Sequence, residues 1–129
     1  MDFALFRLAE QYLIYGEAIA RGGSGGNAAL ALTYVNALRT RAYGNTAGNV
    51  TAAALTTDFF LDERGRELYW EGHRRTDLVR FGKFAGSTYL WPYKGGVKTG
   101  AALPAYRNIF AIPTADLIAN PNLVQNPGY

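Results

Sequence analysis

The fold turns on three consecutive pieces of chain: Leu5-Phe6-Arg7-Leu8-Ala9-Glu10-Gln11-Tyr12-Leu13-Ile14-Tyr15-Gly16-Glu17-Ala18-Ile19-Ala20-Arg21, then Gly22-Gly23-Ser24-Gly25-Gly26-Asn27, then Ala28-Ala29-Leu30-Ala31-Leu32-Thr33-Tyr34-Val35-Asn36-Ala37-Leu38-Arg39-Thr40-Arg41-Ala42-Tyr43. In the first piece Leu5, Leu8, Tyr12, Tyr15 and Ile19 recur three and four positions apart, with Arg7, Glu10, Glu17 and Arg21 off that stripe. This spacing predicts an amphipathic helix over 3–20. A run of glycines cannot continue it, because glycine loses too much backbone freedom in a helix, and Asn27 offers an oxygen suited to an N-cap. Ala28, Ala31, Leu32, Val35, Leu38 and Ala42 predict a second helix, ended near Gly44. So short a connection makes the pair an antiparallel hairpin.

Outward from the hairpin, residues 44–57 read as a polar loop, with Thr57 or Asp58 as the cap of the next helix. Residues 58–84 balance six acidic side chains (Asp58, Asp62, Glu63, Glu67, Glu71, Asp77) against six basic ones (Arg64, Arg66, Arg74, Arg75, Arg80, Lys83). Phe59, Phe60, Leu61, Leu68, Tyr69, Trp70, Leu78, Val79 and Phe81 make it a charged helical segment with a core-forming side, which Gly72 is expected to bend or divide. All five prolines fall from residue 92 onward. Residues 85–129 therefore read as a long irregular tail, packed through its aromatics, with one short helix at 114–119 capped by Thr114 and stopped by Asn120-Pro121. The whole of 1–129 reads as a single all-α domain.

Composition narrows the chemistry. At 129 residues, 49% hydrophobic and 18% charged, the chain is neither disordered nor a coiled coil. A net charge of +3 is too small an excess to point to nucleic acid. The absence of cysteine excludes disulfide scaffolds, thiolate metal sites and thiol nucleophiles, and one histidine, His73, is too few for a zinc site. No cofactor or metal is expected. The opening Met1-Asp2-Phe3 leads us to expect no secretory leader, and no apolar run approaches the ~20 residues of a membrane span. The chain by itself is expected to be soluble, with no anchor.

Three constellations invite a functional reading. Glu63, Glu67 and Glu71 share a helical face, but carboxylates four apart on one helix lie side by side, whereas a glycosidase needs two converging from opposite sides of a sugar. A salt-bridged helix, with Asp62-Arg66 and Glu71-Arg75 at i, i+4, is the better account. His73 with Asp77 could be an oriented base, yet no nucleophile accompanies it. Trp91-Pro92-Tyr93 is a stiffened pair of rings suited to the apolar faces of sugars, though such rings also lock an irregular tail in place, and packing is the favoured account. Trp91 and Tyr93 are the candidate glycan contacts.

The charged block and the tail resemble the carboxy-terminal region of the SusD/RagB family, the surface glycan-binding lipoproteins of Bacteroidetes. Glu63-Arg64-Gly65-Arg66-Glu67-Leu68-Tyr69-Trp70-Glu71-Gly72-His73-Arg74-Arg75-Thr76-Asp77-Leu78-Val79-Arg80 is similar to the family's E-R-x-R-E-L-x-x-E-G-x-R-x-x-D-L-x-R element. Tyr106-Arg107-Asn108-Ile109-Phe110-Ala111-Ile112-Pro113 and Asn120-Pro121-Asn122-Leu123-Val124-Gln125-Asn126-Pro127-Gly128-Tyr129 are similar to its ending, and the hairpin resembles its last tetratricopeptide-like helix pair.

The resemblance implies a binding protein, not an enzyme. It would lie on the external face of the outer membrane, held by an amino-terminal lipidated cysteine, and would pass captured oligosaccharide to a TonB-dependent transporter. Family members are several times longer and build the glycan site largely elsewhere. These residues are therefore expected to be a carboxy-terminal fragment or truncated product that supplies mainly scaffold and self-associates through a face a neighbour would cover. Arg64, Glu67, Glu71, Arg74 and Asp77 would form a charge network registering the helices. The alternative is a protein-interaction module that docks the transporter, or the rest of its own chain, without touching sugar.

Overall fold

Asn27 caps the second helix as its side chain predicts: Oδ1 accepts from the Leu30 amide at 3.0 Å. In the computed structural model, which describes residues 5–129, the hairpin consists of α1 (Leu8–Ala20) and α2 (Ala28–Tyr43), the latter ended by left-handed Gly44. Tyr15 secures the connection from α1, its hydroxyl oxygen accepting from the Asn27 amide at 2.8 Å. Helix α3 (Thr57–Glu67) comes next, capped by Thr56, whose hydroxyl accepts from the Phe59 amide. The cap thus lies one or two residues before the expected Thr57 or Asp58. Then come α4 (Arg74–Arg80) and α5 (Thr114–Ala119). Among the described residues there is no strand, only an isolated bridge between Gly86 and Leu103. The architecture is all-α. No helix among those residues is long and apolar enough to cross a membrane.

Helix α1 begins later than its periodicity predicts. Residues 3 and 4 of the expected helix lie outside the described residues, and Leu5 to Arg7 are not helical. Arg7 occupies the N-cap in extended conformation while its guanidinium reaches Glu67 and Glu71. The buried face is also turned from the expected stripe: Ala9, Leu13, Gly16 and Glu17 are inside, whereas Leu8 is 66% exposed. The large rings explain the rotation. Tyr12 stacks on Tyr34 of α2 with centroids 4.1 Å apart, and Tyr15 meets the same ring edge-on. The tyrosines therefore line the rim of the hairpin, leaving the small Ala9 and Gly16 to face the core. A methyl group at Gly16 would stand 2.5 Å from the ring of Phe60.

The chain forms two compact units, one ending at Arg74 and the other running from Arg75 to Tyr129. In the first, Ala9, Leu13, Val35, Leu38 and Phe60 bring α1, α2 and α3 around one core, flanked by Tyr12, Val50, Leu55 and Phe59. Each of its larger side chains contributes about 1.5–3 kcal/mol by leaving water. The loop after α2 is fastened by Asn36, which exchanges two hydrogen bonds with the backbone of Val50, at 2.9 and 3.0 Å. The charged segment is divided at residues 68–73, where Trp70 and Gly72 both take left-handed backbone.

In the second unit the tail is tied by side chains to backbone. Gln125 accepts from the Ile112 amide at 2.8 Å and donates to the Ile112 carbonyl at 3.0 Å. Asn126 donates to Phe110 and the Tyr129 hydroxyl to Ile109. Helix α5 matches its expected span but has Pro113 at the N-cap position, so Thr114 is its first residue and caps nothing.

Candidate functional site

Glu67 stands at the centre of the charges in the first unit. Its carboxylate accepts from Arg7 at 2.8 Å and from Arg41 at 2.6 Å, which joins the start of α1 and the end of α2 to the end of α3. Arg7 also donates to Glu71 and, at 3.3 Å, to the Glu67 carbonyl. One turn back, Glu63 receives Arg39 of α2 at 2.7 Å and Arg66. Arg64 points to Glu10 at 3.4 Å, and Arg74 donates to the Leu61 carbonyl at 2.7 Å. Asp77, in the second unit, pairs with Arg80 at 3.0 Å.

Of the five network candidates, then, Glu67 and Glu71 are brought together through Arg7, while Arg64, Arg74 and Asp77 each turn to other partners. Glu71 and Arg66 pair with Arg7 and Glu63, not with the i, i+4 neighbours that the sequence offers. The carboxylates of Glu63 and Glu67, 7% and 8% exposed, are satisfied by guanidiniums, which offsets the cost of burying them and leaves little capacity for a substrate. His73 faces Glu10 at 3.7 Å. Among the described residues no group of three or more His, Cys, Asp or Glu could hold a metal ion.

The aromatic candidates lie in a loop built around Lys94. Its ammonium is inside the protein, the residue being 1% exposed, and donates to the carbonyls of Tyr89 at 2.7 Å and Gly86 at 3.1 Å. It also sits 4.7 Å from the centre of the Trp91 ring. Two carbonyl dipoles and a π-face thus replace water around the charge. Desolvation nevertheless holds the Lys94 pKa below its ordinary value. The backbone closes around the same residue: the Lys94 amide donates to Trp91, its carbonyl accepts from Ala101, and the Gly86 amide donates to Leu103 at 2.7 Å.

This loop separates the two rings. Trp91 is half-buried, near Phe84 and Tyr89, with the ammonium against it. Tyr93 is 68% exposed and holds left-handed backbone at φ 66°, a conformation costing about 1–3 kcal/mol in a residue with a β-carbon. Lys94 by itself carries no sequence signal of burial, since lysine beside Gly95-Gly96 reads as solvated surface. The density of rings on either side of it was the available signal. Trp70, 87% exposed at φ 67°, is a second left-handed aromatic that no sequence period announces.

The sequence profile of the SusD family matches residues 1–129. The chain belongs to that family. It is 44% identical over 130 residues to the starch-binding protein SusD of Bacteroides thetaiotaomicron, a match covering 99% of this chain and 22% of that one. Among solved structures it resembles surface glycan-binding protein A from Bacteroides uniformis, with a TM-score of 0.70 and 32% identity over 96% of this chain and 27% of that one. A SusD superfamily protein from Parabacteroides distasonis gives a TM-score of 0.67 at 25% identity, over 98% and 27%. The chain therefore spans about a quarter of the length of each relative.

Proposed function

We propose that this chain serves non-catalytic capture of oligosaccharide at the external face of a bacterial outer membrane, for delivery to a TonB-dependent transporter, and that its residues contribute mainly scaffold. The observation that carries the reading is the 44% identity, across 99% of this chain, to a starch-binding protein of the same family. Two features agree with a scaffold: glutamates closed off by arginines from neighbouring helices, and a tail fastened to its own backbone. Where these residues touch glycan, Tyr93 and Trp91 are the contacts.

A chimaera tests it. The matching 130-residue stretch of the Bacteroides thetaiotaomicron relative is replaced by this chain, and starch binding is measured. Retained affinity supports interchangeable scaffold; a folded chimaera that no longer binds starch overturns it. The docking alternative draws on Leu5 and Phe6, 74% and 83% exposed beside the start of α1. It gains if the chimaera binds starch normally but Phe6→Ser abolishes capture by the transporter.

A further inference from the structure

The buried amine of Lys94 has immediate surroundings built from two backbone carbonyls and an aromatic face. Such an environment does for a loop what a bound cation does elsewhere: it gathers carbonyl dipoles that would otherwise repel one another. The carbonyls of Gly86 and Tyr89 come from the start of the loop, while Ala101, which returns a hydrogen bond to the Lys94 carbonyl at 2.9 Å, comes from its end. Lys94 thereby holds the first arm through its ammonium and the second through its backbone carbonyl. Its neighbour Tyr93 is left in a backbone conformation that a tyrosine adopts only when the surroundings impose it.

We propose that Lys94 is the positioning residue of a sugar platform, fixing the 86–103 loop so that the exposed Tyr93 ring is presented in one orientation to a pyranose of an oligosaccharide. The proposal rests on the glycan reading and deepens it. An aromatic ring stacks on a sugar through a flat apolar face, and the favourable contact area is small. Affinity then depends on how much freedom the ring loses on binding. A ring whose backbone is held by an internal cation has already lost the backbone's share of that freedom. Trp91, with the ammonium against it, belongs to the support of the loop, and the exposed Tyr93 is the surface of the platform.

The test uses the 129-residue chain with maltoheptaose as probe and the variants Lys94→Met, Tyr93→Ala and their double. Methionine keeps the volume of the stem and removes the charge. Amide exchange reads the loop at Gly86 and Ala101, Trp91 emission reports the lost ammonium, and calorimetry reads the sugar. The expected result is faster exchange at both amides in Lys94→Met, a roughly tenfold loss of affinity, and a double variant no weaker than Tyr93→Ala, since positioning acts only through the ring. Unchanged exchange in Lys94→Met overturns the role of Lys94, whatever the sugar does. Undiminished maltoheptaose binding by Tyr93→Ala, or none by the parent chain, overturns the platform itself while leaving the scaffold reading to the chimaera.

Discussion

Gly16 of α1 lies directly beneath the ring of Phe60 from α3, so close that a β-carbon at position 16 would stand 2.5 Å from two ring carbons. Phe60 is fully buried, and the ring cannot retreat without disturbing Leu13 and Val35, which share its cluster. Gly16→Ala is therefore an overpacking substitution despite its gain in helix propensity. It should lower stability by about 1–3 kcal/mol. Urea unfolding checks this, and a midpoint equal to that of the parent would remove the steric argument.

Arg7 and Glu67 should be energetically coupled. Their side chains are 28% and 8% exposed, and the pair is joined at 2.8 Å across the whole of α1 and α2. A cycle of Arg7→Ala, Glu67→Gln and the double variant should show a coupling energy of about 1–3 kcal/mol. Arg41 retains a hold on Glu67 in the single arginine variant, which moderates the loss. Additive effects within error would show that the pair is decorative.

Loss of Glu71 or Arg74 should destabilise the first unit without any consequence specific to sugar. Arg74 reaches the Leu61 carbonyl at 2.7 Å, and its guanidinium fills the space over Gly65, where a β-carbon would meet it at 2.8 Å. Arg74→Ala removes a charge-assisted bond that this carbonyl accepts beside its helical one, at a cost of about 1–3 kcal/mol. Melting temperatures of both variants identical to the parent would contradict this.

The amine of Lys94 gives stability a defined pH dependence. Burial lowers its pKa below the ordinary 10.5, so between the lowered value and 10.5 the unfolded chain binds the proton and the folded chain has released it. Stability contributed by this group therefore rises with pH through that window and is lowest beneath it. The difference in unfolding free energy between the parent and Lys94→Met should move in the parent's favour as pH climbs towards 10.5. A constant difference across the window would mean that the amine is solvated.

Gln125 should govern the exposure of a single amide. Its side chain both accepts from and donates to the backbone of Ile112. Gln125→Leu removes both bonds, and exchange at the Ile112 amide should rise about tenfold, the equivalent of about 1.4 kcal/mol. Protection that survives the substitution would place the anchor of the tail elsewhere.

The hairpin was legible in the sequence because its determinants are local: a 3.6-residue period, a glycine run that breaks it and an asparagine cap. The face it buries was not. A period identifies the larger apolar side chains, but Tyr12 and Tyr15 meet Tyr34 at the edge of the core, and the smaller Ala9 and Gly16 took the inner positions. The charged block was legible as a structural element, yet its partners were not. Spacing on one helix cannot disclose that Glu67 awaits an arginine from the other end of the unit. The candidate rings were visible as rings, and the buried lysine beside them was hidden, because nothing in the identity of a lysine says that it will be buried.

The link from Arg7 to Glu67 also predicts an order of assembly. The ends of α1 and α2 are joined by residues 21–27 alone, so the hairpin closes at small entropic cost, while the arginine must wait for a partner sixty positions along the chain. Docking of α3 is expected to follow the meeting of Leu13, Val35 and Leu38, whose surface receives Phe60. The ion pair is thus a latch thrown last: it slows escape from the finished unit more than it speeds arrival, and Arg7→Ala should act chiefly on the rate of unfolding.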